Sequence, residues 1–111
     1  MSPRRAAALV AVLSLAALAS AATAADPAKV FVKSCSPCHG KEGEPSAIFA
    51  KQGVRNFKDP AWQKSSTDAQ IEQAIREGKK GTMMAAFEKQ LSPADIKALV
   101  SHIRKLGSAK K

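Results

Sequence analysis

Apolar residues fall into three patterns along this chain. The first is a continuous run, Ala6 to Ala19, broken only by Ser14, with Arg4 and Arg5 before it and Ala22-Thr23-Ala24 after it. A positive start, a short apolar stretch and an A-x-A tripeptide, in that order, make a secretory signal peptide. The stretch is too short to span a bilayer comfortably, so a retained anchor is the weaker reading. Cleavage is expected after Ala24 or Ala25, making residues 1–25 a leader and the protein periplasmic, with no stable membrane insertion once the leader is gone.

The second pattern has the helical period. Ile96, Leu99, Val100, Ile103 and Leu106 mark one face of a helix that opens at Ser92-Pro93-Ala94-Asp95, with Ser at the cap, Pro at the first position and an acid at the third. Gly107 is expected to end it, leaving 108–111 as a flexible basic tail. Ile71 and Ile75, with Ala69 and Ala74, predict a second helix from Ser66-Thr67-Asp68 to a stop at Gly78. Asp26-Pro27 predicts a third, running into Cys35 with Phe31 one turn earlier on the same face.

The third pattern is the lack of any period. Residues 40–60, punctuated by Gly40, Gly43, Pro45, Gly53 and Asp59-Pro60, read as loop, and so do residues 79–87 around Gly81, Met83 and Met84. No strand alternation and no repeat is found. The prediction is one all-α domain over residues 26–107, with three to four helices joined by loops.

Composition adds a charge and a size. The chain has 111 residues and a formal charge of +9; since Arg4 and Arg5 fall in the leader, the remaining part of about 86 residues keeps an excess of about seven positive charges. That excess favours acidic partners through electrostatic steering. Nucleic acid is a poor candidate, because the protein is exported and its lysines form no stripe interleaved with aromatics. A domain of this size has a marginal core and gains from a large buried group.

Cys35-Ser36-Pro37-Cys38-His39 supplies the reason for such a group. Two cysteines two residues apart and followed at once by histidine form the attachment signature of a c-type haem. Cys35 and Cys38 would add their thiols to the two porphyrin vinyl groups, and His39 would give its imidazole to the iron. Other uses of a CxxC pair fit less well. A thioredoxin-like site wants an α/β setting, zinc wants about four ligands where the chain has two Cys and two His in all, and a lone CxxC disulfide closes too short a loop to stabilise a domain. A ligating imidazole also wants its second nitrogen hydrogen-bonded, and a carbonyl among residues 43–47 is the expected acceptor.

Four options stand for the other side of the iron: His102, Met83, Met84 or no protein ligand. His102 lies within the last helix, where an isolated histidine is usually a boundary residue. Met83 and Met84 lie in a polar, glycine-rich loop with no helical period to satisfy, a place from which a thioether can be aimed. Trp62 is either a half-buried packing residue or a donor, through its indole N–H, to a haem propionate. Arg55 and Asn56 are further candidates for the same carboxylates.

Together these residues resemble the class I c-type cytochromes of the short bacterial kind, from Asp26 to the end of the last helix. The resemblance is carried by Phe31 before Cys35, by Cys35 to Gly40, by Trp62, by the helix ending at Gly78, by Met84 to Phe87, and by the face from Ile96 to Leu106. It implies one covalent haem c, first and last helices that cross beside it, and methionine as distal ligand. Its spacing of three residues from Met to Phe favours Met84 over Met83. Two departures stand out: Met84 is followed by Ala85 where the family usually has Pro, and the loop after His39 lacks the family's Gly-Pro-Leu element.

The expected function is a soluble periplasmic electron carrier rather than a catalyst. Its partners would be acidic redox proteins or membrane oxidoreductase complexes docking at the haem edge, with Lys79 and Lys80 beside the Met loop to steer them. A dedicated electron-accepting subunit of a periplasmic dehydrogenase complex is the alternative. A peroxidase would need an open iron and a distal acid–base group, and a thiol oxidoreductase would need both cysteines free.

Overall fold

The computed structural model describes residues 23–108, so the leader as far as Ala22 and the tail from Ala109 lie outside the described residues. Six helices follow one another: α1 (Pro27–Ser34), α2 (Ser36–His39), α3 (Ala47–Lys51), α4 (Pro60–Ser65), α5 (Asp68–Glu77) and α6 (Pro93–Ser108). No strand occurs among the described residues. The all-α class therefore stands, while the helix number exceeds the three to four expected. The additions are short: α2 is the single turn of the cysteine motif, and α3 is one turn inside the stretch read as loop.

Local chemistry sets the helix starts. The Asp26 carboxylate accepts from the Ala28 N–H at 3.1 Å, and Asp59 does the same for Ala61 at 2.9 Å. Thr67 and Gln70 form a reciprocal capping box, and Ser92 pairs with Asp95 in the same manner. Each cap satisfies a helix-end N–H that would otherwise lack a partner, and stabilises its helix by about 1 kcal/mol.

One helix end differs from expectation. Gly107 does not stop α6, which runs on through Ser108. A methyl group at Gly107 would sit 2.4 Å from Gln63 Nε2, so the glycine is there to let a side chain from α4 lie against the helix. A close approach from elsewhere in the fold, and not a capping turn, explains this residue.

The long α6 organises the rest, packing against α1, α5 and α4. Ile96, Leu99, Val100 and Ile103 from α6 meet Phe31 from α1, Ile71 and Ile75 from α5, and Phe57 from the loop before α4 in one buried core. Phe31 and Leu99 are wholly inaccessible. The segment just before α1 is tied to α6 as well: the Ala25 N–H donates to Asp95 Oδ1, in the first turn of α6, at 2.8 Å.

Candidate functional site

The cysteine motif continues α1 by one tight turn. The Cys35 N–H donates to the Phe31 carbonyl, and the N–H groups of Cys38 and His39 both return to the Cys35 carbonyl at 3.2 and 2.9 Å. Residues three and four apart on such a turn share a face. The C-x-x-C-H spacing therefore brings two thiols and an imidazole to one side, and all three line a cavity of about 720 Å³. That volume lies within the usual range for cofactor sites.

Both cysteines are free of any disulfide. Burial pushes the Cys35 thiol up to about 11, which keeps it protonated near neutrality and far from the lowered values of reactive exchange thiols.

Two contacts orient the His39 ring. Its Nδ1 lies 2.9 Å from the carbonyl oxygen of Arg55. Because a carbonyl can only accept, Nδ1 carries the proton and Nε2 keeps a free lone pair. The Phe57 ring stacks on the imidazole at a centroid distance of 4.2 Å and 17° between planes. Burial holds the His39 pKa below its ordinary value, with the Arg55 bond acting the other way. The orienting carbonyl is thus at residue 55 and not among residues 43–47. The stretch 43–47 instead anchors the segment that does the work: the Phe57 N–H donates to the Gly43 carbonyl at 2.8 Å.

A second wall comes from the loop after α5. Gly78 closes that helix with φ of 69°, and a methyl group there would lie 2.6 Å from the Met84 carbonyl oxygen. Only glycine both takes this backbone conformation cheaply and leaves room for the returning chain. The Lys79 N–H then donates to the Met84 carbonyl at 3.1 Å, and the Thr82 hydroxyl donates to the Lys79 carbonyl while accepting from the Met84 N–H. Met84 ends half-buried against the core, whereas Met83 is 58% exposed. Both line the cavity, as do Trp62, Arg55 and Lys79.

Other candidates lie elsewhere. His102 does not line the cavity; its ring packs on Phe31 at 5.1 Å, on the α1–α6 seam. Asn56 turns its Oδ1 to the Lys58 N–H, closing a local turn. Trp62 packs against Phe57 at 5.0 Å while still facing the cavity.

The residues present fit a haem c. Two thiols one turn apart, an imidazole whose proton is fixed on the outer nitrogen, and a thioether from a separate loop all meet one cavity, with Ile71, Ile75 and Phe87 among its apolar lining. A rival metal centre finds no such support, since no group of three or more His, Cys, Asp or Glu side chains among the described residues is arranged to hold a metal ion by itself. Sequence reasoning missed the Arg55 carbonyl and Phe57. A backbone acceptor leaves no mark in a sequence, and Phe57 sits in a loop without a period.

Comparison with known proteins agrees with this chemistry. Residues 22–103 match the family model described as cytochrome c oxidase, cbb3-type, subunit III. The cbb3-type cytochrome c oxidase subunit FixP of Bradyrhizobium diazoefficiens is 34% identical over 87 residues, covering 78% of this chain and 29% of that protein. The chain thus spans less than a third of the length of the FixP relatives it matches. Cytochrome c-553 of Helicobacter pylori is 35% identical over 95 residues, covering 82% of this chain and 88% of that protein. The solved structure of the KustC0563 c-type cytochrome superposes with a TM-score of 0.68 at 35% identity, covering 74% of this chain and 98% of that one.

Proposed function

This chain belongs to the c-type cytochrome family, as a monohaem class I member with an electron-carrying role and one covalently bound haem c, and from that premise we propose that it works as a soluble periplasmic shuttle for single electrons. Cys35 and Cys38 would hold the haem through two thioether bonds, and His39 and Met84 would give their nitrogen and sulfur to its iron. The observation that carries the proposal is the convergence of these four side chains on one cavity, with the imidazole proton already committed to Arg55.

Haem c, when bound, supplies an iron that takes up and releases one electron. The chain's own residues decide that it does little else. His39 offers Nε2 with its lone pair free, because Arg55 holds the proton on Nδ1. Met84 would supply the second protein ligand, a thioether that would keep exogenous substrates off and raise the reduction potential relative to a second histidine. Met84 is preferred to Met83 for its half-buried place against the core. Lys79 at the cavity rim and exposed Lys80 steer acidic partners to that edge. Export is supported by the signal-like N-terminus, and no helix among the described residues is long and apolar enough to cross a membrane.

The FixP matches favour a second reading, in which this domain delivers electrons within a membrane oxidase complex. They direct the subunit alternative toward an oxidase and away from a dehydrogenase. Co-purification with a membrane complex after mild solubilisation distinguishes this from a free carrier.

A visible and near-infrared spectrum of the exported holoprotein tests the ligand assignment. Covalent haem bands with a sulfur-to-iron charge-transfer band in the oxidised form are expected, the latter lost in Met84→Ala and kept in Met83→Ala. Covalent haem with no sulfur band would overturn the distal assignment.

A further inference from the structure

We propose that Gln63, clamped by Arg104, is a positioning residue that sets the His39 imidazole and through it the reduction potential. The inference rests on His39 being the proximal ligand. It begins with a mechanical question. Both groups that orient the ring, the Arg55 carbonyl and the Phe57 ring, come from residues 55–57, a stretch with no helix to hold it. A carbonyl on irregular backbone is only as fixed as whatever ties that backbone down.

The Gly43 carbonyl holds the Phe57 N–H, and Gln63 supplies the tie on the other side of that residue, at its carbonyl. Its Nε2 donates to the Phe57 carbonyl at 2.7 Å and to the Ile103 carbonyl of α6 at 3.0 Å. Its Oε1 accepts from Arg104 Nη1 at 2.9 Å, and the same nitrogen donates to the Gln63 carbonyl at 2.7 Å. Arg104 completes the clamp by donating to the Ser66 carbonyl through Nη2 and to Asp68 Oδ1 through Nε at 2.8 Å. The amide thus makes three hydrogen bonds, two to backbone and one charge-assisted, and cannot rotate without giving up all of them. No other side chain bonds the Phe57 carbonyl among the described residues.

Gly107 is an independent sign that the amide's place matters. A glycine inside a helix costs about 1 kcal/mol relative to alanine. Here its missing side chain is the space that Gln63 occupies, with Nε2, Cδ and Cγ all within 2.6 Å of where a methyl group would be. The sequence accepts a weaker helix to keep this passage open.

The route to the iron is short. The carbonyl that holds Nδ1 raises the basicity of the ligand, and hydrogen bonds of this kind are a lever on reduction potential. Loosening Phe57 lets Arg55 withdraw, weakens that bond, and leaves the imidazole a poorer donor to oxidised iron. The potential then rises.

The test uses the full-length exported holoprotein. Gln63→Met keeps the volume and removes all three bonds; Gln63→Glu keeps the pairing with Arg104 but faces two carbonyls with an acceptor. Each is read by the oxidised-to-reduced ratio at a fixed mediator potential, by proton exchange at His39 Nδ1 in nuclear magnetic resonance, and by the visible spectrum. We expect an unchanged six-coordinate spectrum, faster Nδ1 exchange, and a shift toward reduced protein of up to about tenfold in the ratio, or 59 mV for one electron. Ile96→Val, far from residues 55–57 in sequence, serves as the destabilised control that lowers Tm without moving the ratio. If Gln63→Met lowers Tm while ratio and exchange stay at wild-type values, Gln63 only fastens helices and the proposal fails. Should Gln63→Met yield no holoprotein, Arg104→Lys, which leaves the amide in place and removes the fork, is held to the same criteria. A wild-type spectrum without histidine–methionine character would overturn the ligand assignment first, before any variant is made.

Discussion

On the wall that carries His39, the ties that fix the imidazole and its supporting loop reach across the chain: Nδ1 to Arg55, Phe57 to Gly43, Gln63 to Ile103, a span of 40 residues for the last. On the wall that carries Met84, the ties around the methionine stay within one loop, Lys79 to Met84, Thr82 to Lys79 and Met84 to Thr82, and the loop's far end is fastened to α5 by the Phe87 N–H donating to Ile75 at 2.9 Å. Long-range ties can be broken only by opening the fold, whereas a loop closed on itself can swing out as a local unit. The His39 wall is therefore as stable as the protein, and the Met84 wall only as stable as a turn.

The strongest way to break that contrast is to remove what both walls share. Phe31→Ala empties a fully buried site beside Phe57 and His102. It should cost about 3–5 kcal/mol of unfolding free energy, seen in denaturant titration, with both axial ligands lost in one transition. Separate transitions for the two ligands would count against a shared core.

Gly78→Ala should separate the walls. It forces a left-handed conformation and a clash with the Met84 carbonyl, for about 1–3 kcal/mol. The sulfur-to-iron band should weaken or vanish while the His39 Nδ1 resonance stays put. Equal damage to both signals would show that the loop is not independent.

Thr82→Val sharpens the same point more gently. It deletes a hydroxyl that both donates to Lys79 and accepts from Met84, worth about 1 kcal/mol. Added imidazole should then displace the thioether several-fold faster, with little change in Tm.

The smallest effect concerns pH and a third place, the α1–α6 seam. Partial burial, helped by Lys105 and opposed by Asp26, holds the His102 pKa below 6.5. A base whose folded pKa is lowered binds fewer protons folded than unfolded, so its contribution is full above pH 6.5 and is lost as pH falls through the folded value. Tm should drop slightly on acidification through that window, and His102→Gln should remove this part of the slope.

The sequence showed one wall better than the other, for a physical reason. That Cys35, Cys38 and His39 share a face is legible from their spacing, and that Met84 faces the same cavity is legible because a methionine without a helical period needs another explanation. Caps at Asp26, Thr67 and Ser92 are legible because side chains announce them. The Arg55 carbonyl is invisible, since every residue has one. Gln63, Arg104 and Gly107 each look ordinary alone; only the fold brings an α4 amide, an α6 guanidinium and a gap in α6 together. The helix α3 escaped notice because five residues, Ala47 to Lys51, are too few to display a period.

The seam between α1 and α6 also dictates a schedule. Ala25 bonds to Asp95, 70 positions later, and the face of α1 is buried mainly by the last helix. A polypeptide emerging from a ribosome or a secretion channel delivers α1 first and its partner last. In the interval an eight-residue helix cannot persist alone, and Cys35 to His39 travel in an open stretch of chain. The cavity that Cys35, Cys38 and His39 line is therefore incomplete until α6 brings Ile103 to it.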